Sequence, residues 1–217
     1  MKANQVKCLV AMMMLAMSLG ACSKVNKMTE PTATDVQAVT DSSVSGVQKP
    51  GAGNFGGTVA NQQWWRSLTQ AQRNEAICQE ANTEMVALGG GLNKLSRPSG
   101  YNCKTWAQHV VLVASRNVAS LPASTSWSRW AAGQYVNIPG YGPAGMPING
   151  AQRGQIVQAS WGSWPHTMII WSNDGNGVYV IDCNMDFLGG LEIHYVTYAK
   201  FESTSGGSYT IYQVIGG

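Results

Sequence analysis

Charge is the scarcest property of this chain. Of its 217 residues, Lys and Arg supply 14 and Asp and Glu 11, so that charged side chains make up 12% of the sequence. A composition this poor in charge with ordinary apolar content excludes a coiled coil and a disordered regulator. Lys2 and Lys7 lie within the first 21 residues; without that segment the 14 basic side chains fall to 12 against 11 acidic ones, a balance of +1. That leaves no basic footprint for nucleic acid, and none is expected as a partner. Long apolar runs are missing as well. The run from Leu9 to Leu19 is too short to span a bilayer stably. Gly and Trp, by contrast, are frequent, at 25 and 8 residues, which suits a compact, loop-rich, extracytoplasmic domain.

The N-terminus accounts for the short apolar run. Lys2 and Lys7 form a basic n-region, Leu9 to Leu19 an h-region, and Leu19-Gly20-Ala21-Cys22 follows. This last segment resembles the lipobox of bacterial lipoproteins. The resemblance implies cleavage before Cys22 and acylation of that residue, and several acyl chains make a durable membrane anchor at about 0.8 kcal/mol per buried methylene. Ser23, and not Asp, follows the Cys, which resembles the outer-membrane address of enterobacterial lipoproteins. The expected location is the periplasmic face of the outer membrane. Residues 22–60 are rich in Thr, Ser, Val, Gly and Pro without periodicity, and are expected to be a flexible tether.

Residues 61–217 are expected to fold. Thr69-Gln70-Ala71-Gln72 fits a capping box, and Ala76, Ile77, Met85, Val86 and Leu88 recur at helical spacing before Gly89-Gly90-Gly91. Trp64 and Trp65 read as packing anchors for that helix. A second helix is predicted from Cys103 to about Val118, with Trp106, Ala107, Val110, Val111 and Ala114 on its apolar face. Residues 122–154 look irregular. Strands follow at 154–159, 167–171, 178–182, 192–198 and 208–215, the middle pair joined by the turn Asn173-Asp174-Gly175-Asn176-Gly177. Helices first and antiparallel strands afterwards define an α+β domain.

The start of the second helix carries the chemistry. A thiol at a helix N-terminus meets free N–H groups and partial positive charge, which favour thiolate and can hold a developing oxyanion. His109 lies six residues past Cys103 on the same helix, too far round to serve it, and reads as a surface or packing residue. His166 stands directly before a predicted strand. The hairpin returns Asp182 and Asn184 beside it, two residues apart and on one face, away from Cys183. Either can orient the imidazole, which gives the Cys–His–polar pattern of thiol hydrolases.

These segments resemble the CHAP domain of the NlpC/P60 superfamily. Gly100-Tyr101-Asn102-Cys103-Lys104-Thr105-Trp106-Ala107 is similar to its G-x-C-T-W-Y/A segment, and Arg153-Gly154-Gln155-Ile156-Val157 to its P-G-D-I strand start. His166-Thr167-Met168-Ile169-Ile170 resembles its H-x-A-I-V strand, and Ile181-Asp182-Cys183-Asn184-Met185 its E-x-N strand. The resemblance covers roughly residues 95–190 and implies a papain-like core. It implies hydrolysis of amide bonds in peptidoglycan, with Cys103 as nucleophile, His166 as base and then acid, and Asp182 or Asn184 orienting His166. Trp106, Trp161 and Trp164 are candidates to line the substrate cleft. Gln155 and Arg153 depart from the family pattern, no upstream Gln completes an oxyanion hole, and no acidic calcium loop precedes Cys103, so no metal or cofactor is expected.

Other readings stay open. Cys78, Cys103 and Cys183 are odd in number once Cys22 is acylated; a Cys78–Cys183 bridge leaves Cys103 free, and a bridge to Cys103 abolishes catalysis. A metal site using Cys183, Asp182 and His194 or His166 has no recognised ligand spacing. The functional rivals are a non-catalytic wall-binding or scaffold lipoprotein of the same fold, and an acyltransferase using the same nucleophile.

Overall fold

The computed structural model describes residues 56–123, 128–140, 145–161, 164–183, 189–204 and 208–217, with the side chains of Trp161, Trp164 and Thr204 outside that description. Residues 1–55, with Cys22 and most of the expected tether, lie outside the described residues. The fold begins slightly earlier than the sequence predicts. Thr58 caps a helix, α1 (Val59–Ser67), by accepting from the Asn61 amide at 3.2 Å. Val59 and Ala60, read above as the end of the tether, are therefore its first turn. Trp65 on α1 is fully buried, and its indole donates to the Ile215 carbonyl at 3.0 Å, so it anchors the N-terminal helix to the C-terminal strand.

Helix α2 (Gln70–Ala87) starts on the predicted capping box: the Thr69 hydroxyl accepts from Gln72 N, and the Thr69 amide donates to Gln72 Oε1 at 2.8 Å. Helix α3 (Cys103–Ala114) is shorter than predicted. Arg116 and Asn117 take left-handed φ angles of 54° and 66°, which end the helix after the Ser115 cap.

The remaining elements are β1 (Val136–Asn137), a 3₁₀ turn (Ile148–Gly150), β2 (Ile156–Trp161), β3 (Trp164–Asn173), β4 (Gly177–Cys183), β5 (Leu191–Thr197), α4 (Tyr198–Thr204) and β6 (Tyr209–Val214). The strands form one antiparallel sheet in the order β1-β6-β2-β3-β4-β5. The α+β expectation holds at this level. Strand β1, the 3₁₀ turn and α4 were not foreseen.

Both faces of the sheet are buried. Ile156, Ile169, Ile181 and Ile193 on one face pack with Trp106, Ala107, Val110 and Val111 of α3 and Ile77 of α2. Val157, Met168, Ile170 and Val180 on the other face join Phe201 of α4 and Ile148. Burial on both faces explains why the central strands read as continuous apolar runs. The β3–β4 turn is held by Asp174 Oδ1, which accepts from the amides of Asn176 and Gly177, both at 2.9 Å, while Gly175 takes φ +90°. Gly154 leads into β2 with φ +76°, and a Cβ there would lie 1.9 Å from the Asn74 carbonyl oxygen. Only glycine lets β2 approach α2 this closely.

Candidate active site

Asn102 fixes the position of the thiol. Its side chain accepts from Lys104 N at 3.1 Å and Thr105 N at 2.9 Å, while its own amide donates to Thr105 Oγ1 at 3.1 Å. This reciprocal cap makes Cys103 the first residue of α3. Its backbone N–H has no partner among the described residues. Cys103 is 5% exposed and lines a narrow cleft.

Strand register brings the other two residues together. Asp182 pairs across from Met168, and His166 lies two residues before Met168, so both side chains share a face of the sheet. His166 Nε2 stands 2.9 Å from Asp182 Oδ2, and Asp182 is completely buried. That leaves Nδ1 for the thiol. Burial alone would lower the His166 pKa, but the hydrogen bonds that its ring donates to Asp182 and Cys103, and the negative charges of those groups, raise it to about 9. Burial pushes the Cys103 thiol up; the hydrogen bond and charge of His166, with the Thr167 and Lys104 backbone N–H groups, outweigh it and bring the pKa below the ordinary thiol range. Opposed shifts of this kind favour a thiolate–imidazolium pair at neutral pH. Cys78 shows the contrast: burial, as the largest influence, drives its thiol up to about 12.

Among the described residues, then, Cys103, His166 and Asp182 come together as expected. Asn184 lies outside the described residues, and so do the side chains of Trp161 and Trp164, whose backbones pair at the adjoining ends of β2 and β3. Trp106 does not line a cleft. It is fully buried on the core face of α3, and its indole donates to Glu84 Oε2 of α2 at 2.8 Å. His109 packs as expected, stacked on Tyr101 at 4.9 Å and 2.8 Å from Glu84. Cys78, Cys103 and Cys183 are all free thiols. Cys78 donates to the Ile170 carbonyl at 3.7 Å and Cys183 to the Tyr101 carbonyl at 3.2 Å.

A second histidine stands behind the carboxylate. His194 on β5 places Nε2 3.6 Å from Asp182 Oδ2 and Nδ1 3.7 Å from Glu192 Oε1. Asp182, Glu192 and His194 each offer an atom within 4.8 Å of the others, and among the described residues they are the group that could hold a cation. This set differs from the one weighed above, since Cys183 points to the opposite face. A cation there would draw on the carboxylate that orients His166.

The narrow cleft beside Cys103 is lined by Lys104, Arg129, Gln158, Ala159, Ser160, Pro165 and Thr167. Gln158 ties its walls together, accepting from Trp130 N at 3.1 Å and donating to Thr167 Oγ1 at 3.3 Å. Sequence reasoning missed Gln158 and Arg129. Gln158 is a buried polar residue within a strand, a signal that was there to read; Arg129 sits in a stretch without periodicity. Compared with known protein families, curated proteins and solved structures, the chain matches none.

Proposed function

We propose that this chain is a lipid-anchored cysteine amidase or peptidase with a papain-like, CHAP-type core, acting on peptidoglycan peptides at the periplasmic face of the outer membrane. The observation that carries the reading is the Cys103–His166–Asp182 arrangement, with the thiol at a helix N-terminus and the imidazole 2.9 Å from a buried carboxylate. A binding module has no need of that set.

The chemistry follows from the groups present. The Cys103 thiolate attacks the amide carbonyl carbon, and the C–N bond breaks as His166 gives its proton to the leaving nitrogen. The product is a thioester on Cys103. His166, now neutral, takes a proton from water, whose oxygen attacks the thioester and releases a carboxylic acid and the Cys103 thiolate, which restores the thiolate–imidazolium pair. The free Cys103 N–H is the first donor to the oxyanion at both steps.

The test is digestion of purified sacculi by the full chain in detergent, wild type against Cys103→Ala, with products identified by mass. Release of fragments carrying new carboxyl and amino ends by the wild type alone supports the hydrolase. A product in which an added amine has captured the acyl group supports transfer. No released fragments from reduced, folded wild type contradicts the reading.

A further inference from the structure

The cleft carries positive charge that the hydrolytic steps do not use. Lys104 and Arg129 both line it, and no Asp or Glu does so among the described residues. Arg129 has no ion-pair partner among the described residues. Its guanidinium is instead held by neutral oxygens: NH1 donates to Thr210 Oγ1 at 2.9 Å, and NH2 to the Ser208 carbonyl and to Ser208 Oγ. These bonds leave N–H donors to spare on a planar fork that suits a carboxylate.

The segment carrying Arg129 is firmly placed. Lys104 Nζ donates to the Ser128 carbonyl at 2.8 Å and lies 5.6 Å from the centre of the Trp130 ring. Trp130 N is bound by Gln158, and the Trp130 carbonyl accepts from the Tyr212 hydroxyl at 3.1 Å. A cation held this way costs little further ordering when a ligand binds. Asp182, the carboxylate that holds His166, is wholly buried and turned to that imidazole, so it does not cancel this charge at the cleft.

We infer that the cleft recognises a substrate carboxylate, taken by Arg129 with Lys104 adding to the local positive charge, beside the amide that Cys103 attacks. This rests on the hydrolase reading above, and it names the substrate class: an acidic peptide, not a neutral or amidated one. The alternative is that Arg129 only fastens residues 128–130 to β6, and the two roles separate on substrate charge.

The probes are alanyl-γ-glutamyl-lysine with its glutamyl α-carboxylate free, and the same peptide with that group amidated. Binding is measured by calorimetry to the full Cys103→Ala chain in detergent, which removes turnover. The free carboxylate is expected to bind about 10-fold more tightly, as a charge-assisted bond to Arg requires. Adding Arg129→Gln should abolish that preference, and Arg129→Lys should keep part of it, with thermal midpoints checking that each variant is folded. Equal affinity of the two peptides overturns the inference and leaves the hydrolase standing. Arg129→Gln weakening both peptides alike also overturns it, since a tether serves both. If neither peptide binds and wild type releases nothing from sacculi, both readings fall.

Discussion

Oδ2 of Asp182 lies between two imidazoles, 2.9 Å from His166 Nε2 and 3.6 Å from His194 Nε2, while Oδ1 of the same carboxylate is buried with no hydrogen-bond partner among the described residues. A buried carboxylate with one strong hydrogen bond is costly to keep. Its position is explained by what it does for His166: it fixes the ring so that Nδ1 faces Cys103, and it stabilises the protonated form.

Asp182→Asn should therefore lower kcat for fragment release by about 100-fold or more, the range that positioned acid–base groups supply. The basic limb of the pH profile should move to lower pH, because the charge that raises the His166 pKa is gone. Asp182→Ala should also cost stability, about 3 kcal/mol, by removing the carboxylate partner of a buried imidazolium. Initial rates across pH and urea unfolding check both.

The pH dependence has a definite sign. The His166 pKa is raised from about 6.5 to about 9, so its contribution to stability is complete below the lower value and is lost as pH rises through the upper one. The Cys103 pKa is lowered, so its contribution is present above the ordinary thiol range and is lost as pH falls through the depressed value. Hydrolysis needs the thiolate and the imidazolium together. kcat/KM should fall above about pH 9, where His166 loses the proton owed to the leaving nitrogen, and again on the acid side with the thiolate.

Much of this site was legible in the sequence because it depends on local rules. The Thr69 capping box, the turn through Gly175 and the two-residue alternation placing Asp182 on the face of His166 all follow from spacing. Trp106 shows where a motif misleads. Its place beside Ala107, Val110 and Val111 marks the core face of α3, and the partner that satisfies its indole, Glu84, lies 22 residues away on another helix. Arg129 was hidden for a related reason. Its position comes from β6, 79 to 81 residues further on, and no local pattern encodes that pairing.

Gly154→Ala tests how tightly β2 is set against α2. The added Cβ would meet the Asn74 carbonyl at 1.9 Å and would have to adopt φ +76°. A loss of about 2 kcal/mol or more is expected from strain and displaced backbone together. Chemical denaturation reads this directly; a loss within about 0.5 kcal/mol would mean the strand can shift.

Thiol labelling separates the three described cysteines. Iodoacetamide at pH 7 should modify Cys103 in the folded protein. Cys78, driven up to about 12, and Cys183, without exposed surface, should resist until denaturant is added. Peptide mapping by mass assigns each site.

The alkylation rate of Cys103 across pH measures, without any substrate, whether His166 holds Cys103 as a thiolate. In the wild type the rate should level off at lower pH than for an ordinary thiol, and in His166→Ala, where burial acts without the imidazole to oppose it, the rate should still be rising about tenfold per pH unit through the ordinary thiol pKa near 8.5. A wild-type profile that follows the ordinary thiol curve, unchanged by His166→Ala, would contradict the account.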